Sequence, residues 1–280
     1  MRNPEGSVMG NGRILAVLTA MSLLSGCATA PTSPPVAVVT PAETPETKEA
    51  APEIKNAQSL ADEAKALVKQ GSSQADLAKA VMLSNEAAAL EPSDTAIALQ
   101  HARHALAYTQ TMTDIDQQAQ IAEAGLRSMD ASGLSGETLE PVAAYYRGAL
   151  TGLVMQVQGL AAAGKLPELE TLFKKSTQAP ATESGGPWRA LGMLYLKAPA
   201  WPTGIGDLEL ALENLEQATS SYPNHPYNHI CLARALVEDG EPERAAEELN
   251  QGESLLKTTA WGGLGAAWQQ EIAEIRRSLN

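Results

Sequence analysis

Cysteine and histidine, which supply thiolate nucleophiles and many metal ligands, are few in this 280-residue sequence. Its two cysteines, Cys27 and Cys231, are too few for a disulfide framework or for a zinc site with four thiolates. His225 and His229 are four residues apart and close to Cys231, so one helix face can hold them together. A metal would still need further ligands, and we interpret both as ordinary surface histidines. For Cys231 the sequence favours a buried, inert thiol.

Two further histidines, His101 and His104, lie three residues apart on a predicted helix, and we interpret them in the same way. The sequence shows no P-loop, dinucleotide fingerprint, G-x-S-x-G elbow or H-E-x-x-H helix. We therefore expect neither an enzyme nor a bound cofactor or metal. The formal net charge of -13 argues against nucleic-acid binding, which needs a positive surface.

An apolar run, Ile14–Leu24, follows Arg13 and has the length of a signal-peptide core, too short to span a bilayer as a stable helix. It ends in Leu24-Ser25-Gly26-Cys27, which resembles the lipobox of bacterial lipoproteins, in which a small residue precedes an acylated cysteine. The resemblance implies that residues 1–26 are a signal peptide and that Cys27 carries fatty acyl chains such as palmitate. The alternative is an ordinary secreted protein with a chance cysteine near its cleavage site.

The residues after Cys27 bear on localisation and reach. Lipoproteins of this kind with alanine at the next position, as at Ala28, usually reside in the outer membrane of Gram-negative bacteria, which implies a periplasmic location. Residues 27–56 contain six prolines among Thr, Ala and Glu, so no core is expected there. We predict a disordered stalk that links the lipid anchor to a domain at 57–280.

Residues 57–280 show helical periodicity and an internal repeat. Ala211 and Ala245 are 34 residues apart and stand at equivalent positions of two successive units. The sequence resembles the tetratricopeptide repeat (TPR) at its first-helix positions Trp188, Leu191, Gly192 and Tyr195, and at its second-helix positions Ala211, Leu215, Ala218 and Pro223. The resemblance implies an all-α solenoid of about five TPR-like helical hairpins, closed by a C-terminal capping helix at 264–279. We expect one long helix at 138–162.

One departure from the repeat lies within residues 198–206. Counting from Trp188, the pattern predicts the second-helix alanine at position 204, yet it stands at Ala211, so seven extra residues interrupt the hairpin. A similar proline- and glycine-bearing insertion occurs in the T component lipoproteins of TRAP transporters, which this chain therefore resembles more weakly. That resemblance implies a small organic acid as ligand and a transporter binding subunit as partner.

In TPR proteins the first helices of the hairpins line the concave surface, which is the usual binding face. By that resemblance the residues pointing into the groove are Arg189, Met193, Tyr227, Ile230 and Arg234. Trp201 in the insertion is the other candidate for recognition. Both arginines are candidate carboxylate ligands, and the alternative is that each pairs with a neighbouring Glu.

Two functions are consistent with these features. The first is a membrane-anchored periplasmic scaffold that binds a protein or peptide in its groove without catalysis. The alternative is an accessory ligand-binding lipoprotein of a TRAP-type carboxylate transporter, related to the T component.

We predict that Cys27→Ser abolishes membrane retention and leaves the domain folded, because the stalk separates the anchor from the core. Fractionation and metabolic labelling with a fatty acid test this. Labelling that persists in the variant would contradict lipidation at Cys27.

Overall fold

A computed structural model describes residues 56–136 and 138–279 of the chain. These residues form eleven α-helices, each packed against its neighbours in sequence order, and they contain no β-strand. The all-α class predicted from the sequence is therefore confirmed for the described residues. The helices are α1 (Ala57–Leu67), α2 (Gln74–Leu90), α3 (Thr95–Thr109), α4 (Ile115–Ala131), α5 (Pro141–Gln158), α6 (Leu166–Ser176), α7 (Gly186–Lys197), α8 (Leu208–Ser221), α9 (Pro226–Glu238), α10 (Pro242–Thr258) and α11 (Gly262–Ser278).

Short polar residues fix where several helices begin. Ser73 and Asp76 form a reciprocal capping box at the start of α2. The side chains of Asp94, Asp114 and Asp207 accept backbone N–H bonds at the starts of α3, α4 and α8. Proline stands in the first turn of α5, α6, α7, α9 and α10, where its missing N–H costs nothing.

Small residues set the close contact between α7 and α8. A Cβ built on Gly192 would lie 2.7 Å from Leu215 Cγ, so only glycine fits at that crossing. Ala211 and Ala218 on α8 are both fully buried. The repeat positions Gly192, Ala211 and Ala218 therefore carry small residues where these two helices cross or pack closely.

The long helix expected at 138–162 does not form as predicted. α5 ends at Gln158, because Gly159 has φ +56 and the backbone turns into a 3-10 helix at Gly159–Lys165. α6 then begins at Leu166 with Pro167 in its first turn. The glycine therefore ends the helix earlier than the apolar pattern suggests.

The C-terminal helix α11 packs on α9 and α10, as expected for a cap, and it also contacts α2. The N–H of Gly263 donates to the carbonyl of Ser72 at 3.1 Å, in the turn between α1 and α2. Gly262 adopts φ +55, and a Cβ there would collide with the same carbonyl. The last helix thus contacts the first hairpin as well as the last, which the repeat pattern did not predict.

An aromatic cluster fixes α11 to α9. Trp268 is buried, stacks on Tyr227 with ring centroids 5.2 Å apart, and contacts His225 and Trp261 edge-on or tilted. Trp201, by contrast, is 85% exposed in the connection between α7 and α8. Among the described residues no helix is long and apolar enough to span a membrane.

We predict that Trp268→Ala lowers the free energy of unfolding by about 3–5 kcal/mol, because it removes a buried aromatic contact. Trp201→Ala is the matched control and should change stability by no more than about 0.5 kcal/mol. Urea denaturation followed by circular dichroism measures both. Equal losses for the two variants would show that α11 is not fixed by this cluster.

Candidate ligand-binding chambers

A cavity of about 570 Å³ lies between α5, α6 and α7, and we call it the apolar chamber. Its wall is mostly hydrocarbon, with contributions from Leu153, Leu166, Phe173, Met193 and Leu194. Pro199, from the start of the insertion, also lines it. The insertion therefore borders the chamber.

A second cavity of about 340 Å³, which we call the polar chamber, lies where α11 approaches the α1–α2 turn. Polar and aromatic side chains line it, including Lys69, Arg103, Glu183, His225 and Trp261. It differs from the apolar chamber in offering several hydrogen-bonding groups.

Arg189 lines both chambers, together with Leu106 and Gln110. Its side chain is buried, with the residue 6% exposed. The guanidinium donates to Asn228 Oδ1 and lies 5.4 Å from the ring centroid of Tyr227. Within the described residues no carboxylate forms an ion pair with it, so the alternative that Arg189 pairs with a neighbouring Glu is wrong there.

The turn before α7 holds Arg189 in place. Glu183 and Ser184 have φ of 47° and 50°, which is uncommon for residues other than glycine, and Gly185 follows at 88°. Asn228 is fully buried, and its amide donates to the carbonyls of Ser184, Ala218 and Tyr222. Sequence reasoning missed Asn228. The signal was an amide in an otherwise apolar stretch of α9.

The charged residues around the two chambers are mostly basic. Lys69, Arg103, Arg189 and Lys197 line them, against one acidic residue, Glu183. Glu183 is already engaged, since it accepts a hydrogen bond from the Tyr146 hydroxyl at 2.6 Å and lies 3.5 Å from Arg103 Nε. A chain of formal charge -13 therefore surrounds its cavities with positive side chains.

The predicted groove residues separate into two groups. Arg189, Met193 and Tyr227 all line the apolar chamber. Arg234 instead forms an ion pair with Glu271 at 2.7 Å and lines neither chamber, and Ile230 is fully buried in the core. Neither of these two residues belongs to the wall of a chamber.

Trp201 stands in the insertion that borders the apolar chamber, exposed and not packed in the core. Cys27 lies outside the described residues. Trp201 itself lines neither chamber.

The interpretation of the histidines as surface side chains is wrong for three of them. His101 and His104 are buried in α3, and His229 is buried with its Nδ1 2.6 Å from Glu248 Oε2. No cluster in the described residues could hold a metal ion. Cys231 is buried as predicted, and burial raises the pKa of its thiol to about 12.

The chain matches no protein-family model, and no curated protein matches it.

We predict that His225→Phe makes stability less sensitive to acid. Burial, with Arg189 nearby, lowers the pKa of His225 to about 3, whereas an unfolded chain titrates near pH 6.5. Between these two pH values only the unfolded state binds a proton at His225. This residue therefore lowers the free energy of unfolding of the wild type on acidification by up to about 1.4 kcal/mol per pH unit. Phenylalanine keeps the ring contacts and removes the proton. Urea midpoints at pH 7 and pH 5 measure the difference.

His229→Gln is the control of opposite sign. Although burial opposes it, hydrogen bonds to Glu248 and to the Pro223 carbonyl raise the pKa of His229. The stabilisation that protonated His229 provides is fully present below about pH 6.5 and is lost as the pH rises. His229→Gln removes this stabilisation, so the variant should lose more stability on acidification than the wild type does. An unchanged pH dependence in His225→Phe would contradict the linkage.

Proposed function

We propose that this protein is a non-catalytic binding protein that holds a small organic anion in the apolar and polar chambers. The observation that carries the proposal is Arg189, a buried cation at the junction of the two chambers without a carboxylate partner among the described residues. Burying a charge without a compensating partner costs on the order of several kcal/mol. An anionic ligand would supply that compensation.

The size of the cavities supports a small ligand. Ligand pockets typically have about 300–1,000 Å³, are mostly apolar and carry a few polar groups that orient the ligand. The chambers, at about 570 and 340 Å³, fall in that range. The excess of basic residues around them favours an anion over a cation.

A protein partner is the second candidate, and Trp201 is the observation that favours it. Tryptophans are common among residues that dominate protein interfaces, and this one is 85% exposed in the insertion whose Pro199 lines the apolar chamber. A transporter binding subunit docked there would lie close to the ligand. In this proposal the helical hairpins form a TPR-like superhelix of the kind found in T component lipoproteins.

We further propose that the chain acts at a membrane, held through lipidated Cys27 at the periplasmic face of the outer membrane. The support is the lipobox-like run Leu24–Cys27 after an apolar core and the proline-rich residues 28–56. Such an anchor would keep the binding domain near a transporter.

We predict that Arg189→Met weakens binding of an organic acid by roughly 30-fold, equivalent to about 2 kcal/mol for a lost charge-assisted hydrogen bond. Arg234→Met is the matched control, because Arg234 pairs with Glu271 outside both chambers. Native mass spectrometry with acetate, succinate and decanoate identifies binding, and calorimetry measures it.

Circular dichroism establishes that each variant is folded, and Arg189→Lys replaces Arg189→Met if that variant unfolds. Lysine keeps the charge and loses the planar fork, so it should bind more weakly than wild type. The proposal is contradicted if none of the three acids binds, or if Arg189→Met and Arg234→Met bind equally well.

A further inference from the structure

The polar chamber has hydrogen-bonding capacity that the protein does not use. Trp261 and His225 both line it, and Trp261 Nε1 and His225 Nδ1 are buried without a hydrogen-bond partner among the described residues. Most buried polar atoms in folded proteins are paired, so two unpaired ring nitrogens at one cavity need an explanation.

Donors predominate among these groups. The indole N–H of Trp261 can only donate. The guanidinium of Arg189 has five N–H groups, and it bonds to Asn228, to the Glu183 carbonyl at 3.4 Å and to the Tyr145 side chain. His225 is neutral near pH 7, because burial lowers its pKa, and its free Nδ1 can donate or accept according to the tautomer. A group rich in acceptor oxygens fits such a wall.

The apolar chamber suits a different part of a ligand. Its volume of about 570 Å³ far exceeds what a two- or four-carbon acid fills, and hydrocarbon dominates its wall. Lys197 is at its edge, and the side chain is exposed. Apolar groups gain free energy by leaving water for such a site.

Leu106, Gln110 and Arg189 belong to the walls of both chambers, so a ligand that passes Arg189 could reach from one to the other. We propose that the ligand is an amphipathic carboxylic acid that spans this junction. Its carboxylate lies at Arg189 and takes hydrogen bonds in the polar chamber from Trp261, and its hydrocarbon chain fills the apolar chamber. This inference rests on the proposed function and assigns the class of anion.

Gly152 offers a way to block the hydrocarbon site alone. It lines the apolar chamber, and a Cβ built there would meet only Leu169 Cδ2, at 3.9 Å. Gly152→Leu therefore projects a side chain without a backbone clash, and leucine is a better helix former than glycine within α5. The variant should remain folded.

Binding of butyrate, decanoate and decanol to the full-length chain tests the inference, with Cys27→Ser in every variant so that no attached acyl chain competes. In calorimetry, decanoate should bind at least about a hundredfold more tightly than butyrate, since each buried methylene raises the affinity by roughly fourfold. It should also bind about tenfold or more tighter than decanol, which lacks the charge.

Gly152→Leu should weaken the binding of decanoate by about tenfold or more and leave the binding of butyrate unchanged. Trp261→Phe keeps an aromatic ring and loses the indole N–H. It should therefore weaken the binding of decanoate by roughly two- to tenfold and leave the binding of decanol unchanged. Trp188→Phe is the matched control, because Trp188 packs on Tyr222 and lines neither chamber. This variant should bind both decanoate and decanol as tightly as the wild type does.

Decanol that binds as tightly as decanoate, or an affinity independent of chain length, would overturn the inference. So would decanoate binding unaffected by both Gly152→Leu and Trp261→Phe. Butyrate binding that depends on Arg189 would then leave the proposed function intact, whereas the absence of binding by any acid would remove both.

Discussion

The contact between Arg189 and Asn228 is the interaction on which the candidate site depends. Asn228 is fully buried, accepts from the guanidinium and donates to three carbonyls, so one side chain joins α9 to α7 and to the turn before it. The turn includes two non-glycine residues at positive φ, each costing on the order of 1 kcal/mol or more. Loss of the amide would leave several buried polar groups unpaired, which is more costly than the bonds themselves.

The alanine- and glycine-rich composition explains why there is space beside that contact. Aromatic residues make up 4% of the chain, with a single phenylalanine. Several wall positions of the apolar chamber carry little or no side chain, namely Ala149, Gly152, Ala162, Ala163 and Ala190. Elsewhere such small residues let helices pack closely, as at Gly192, where Leu215 fills the gap. Around the apolar chamber no comparable large side chain fills the gap, and a cavity of ligand size results.

Local patterns in the sequence predicted the all-α class of the described residues. Gly192 lies at a helix crossing where close packing excludes larger side chains, and Arg189, Met193 and Tyr227 all line the apolar chamber. The contacts that join distant segments could not be read in this way. The bond from Gly263 to Ser72 connects residues about two hundred positions apart, and no local periodicity encodes it. The same limit applies to Arg234, whose pairing with Glu271 depends on where α11 packs.

The position of α11 also bears on which kind of ligand the two chambers could hold. Its contact with the α1–α2 turn places Trp261 in the wall of the polar chamber, so a ligand bound there would contact both the first hairpin and the last helix. A small molecule can bridge such a junction, whereas an extended polypeptide needs a continuous open surface. Trp201 is exposed in the insertion, while Pro199 of the same insertion lines the apolar chamber. A ligand in the apolar chamber and a protein partner at Trp201 would therefore both contact the same insertion.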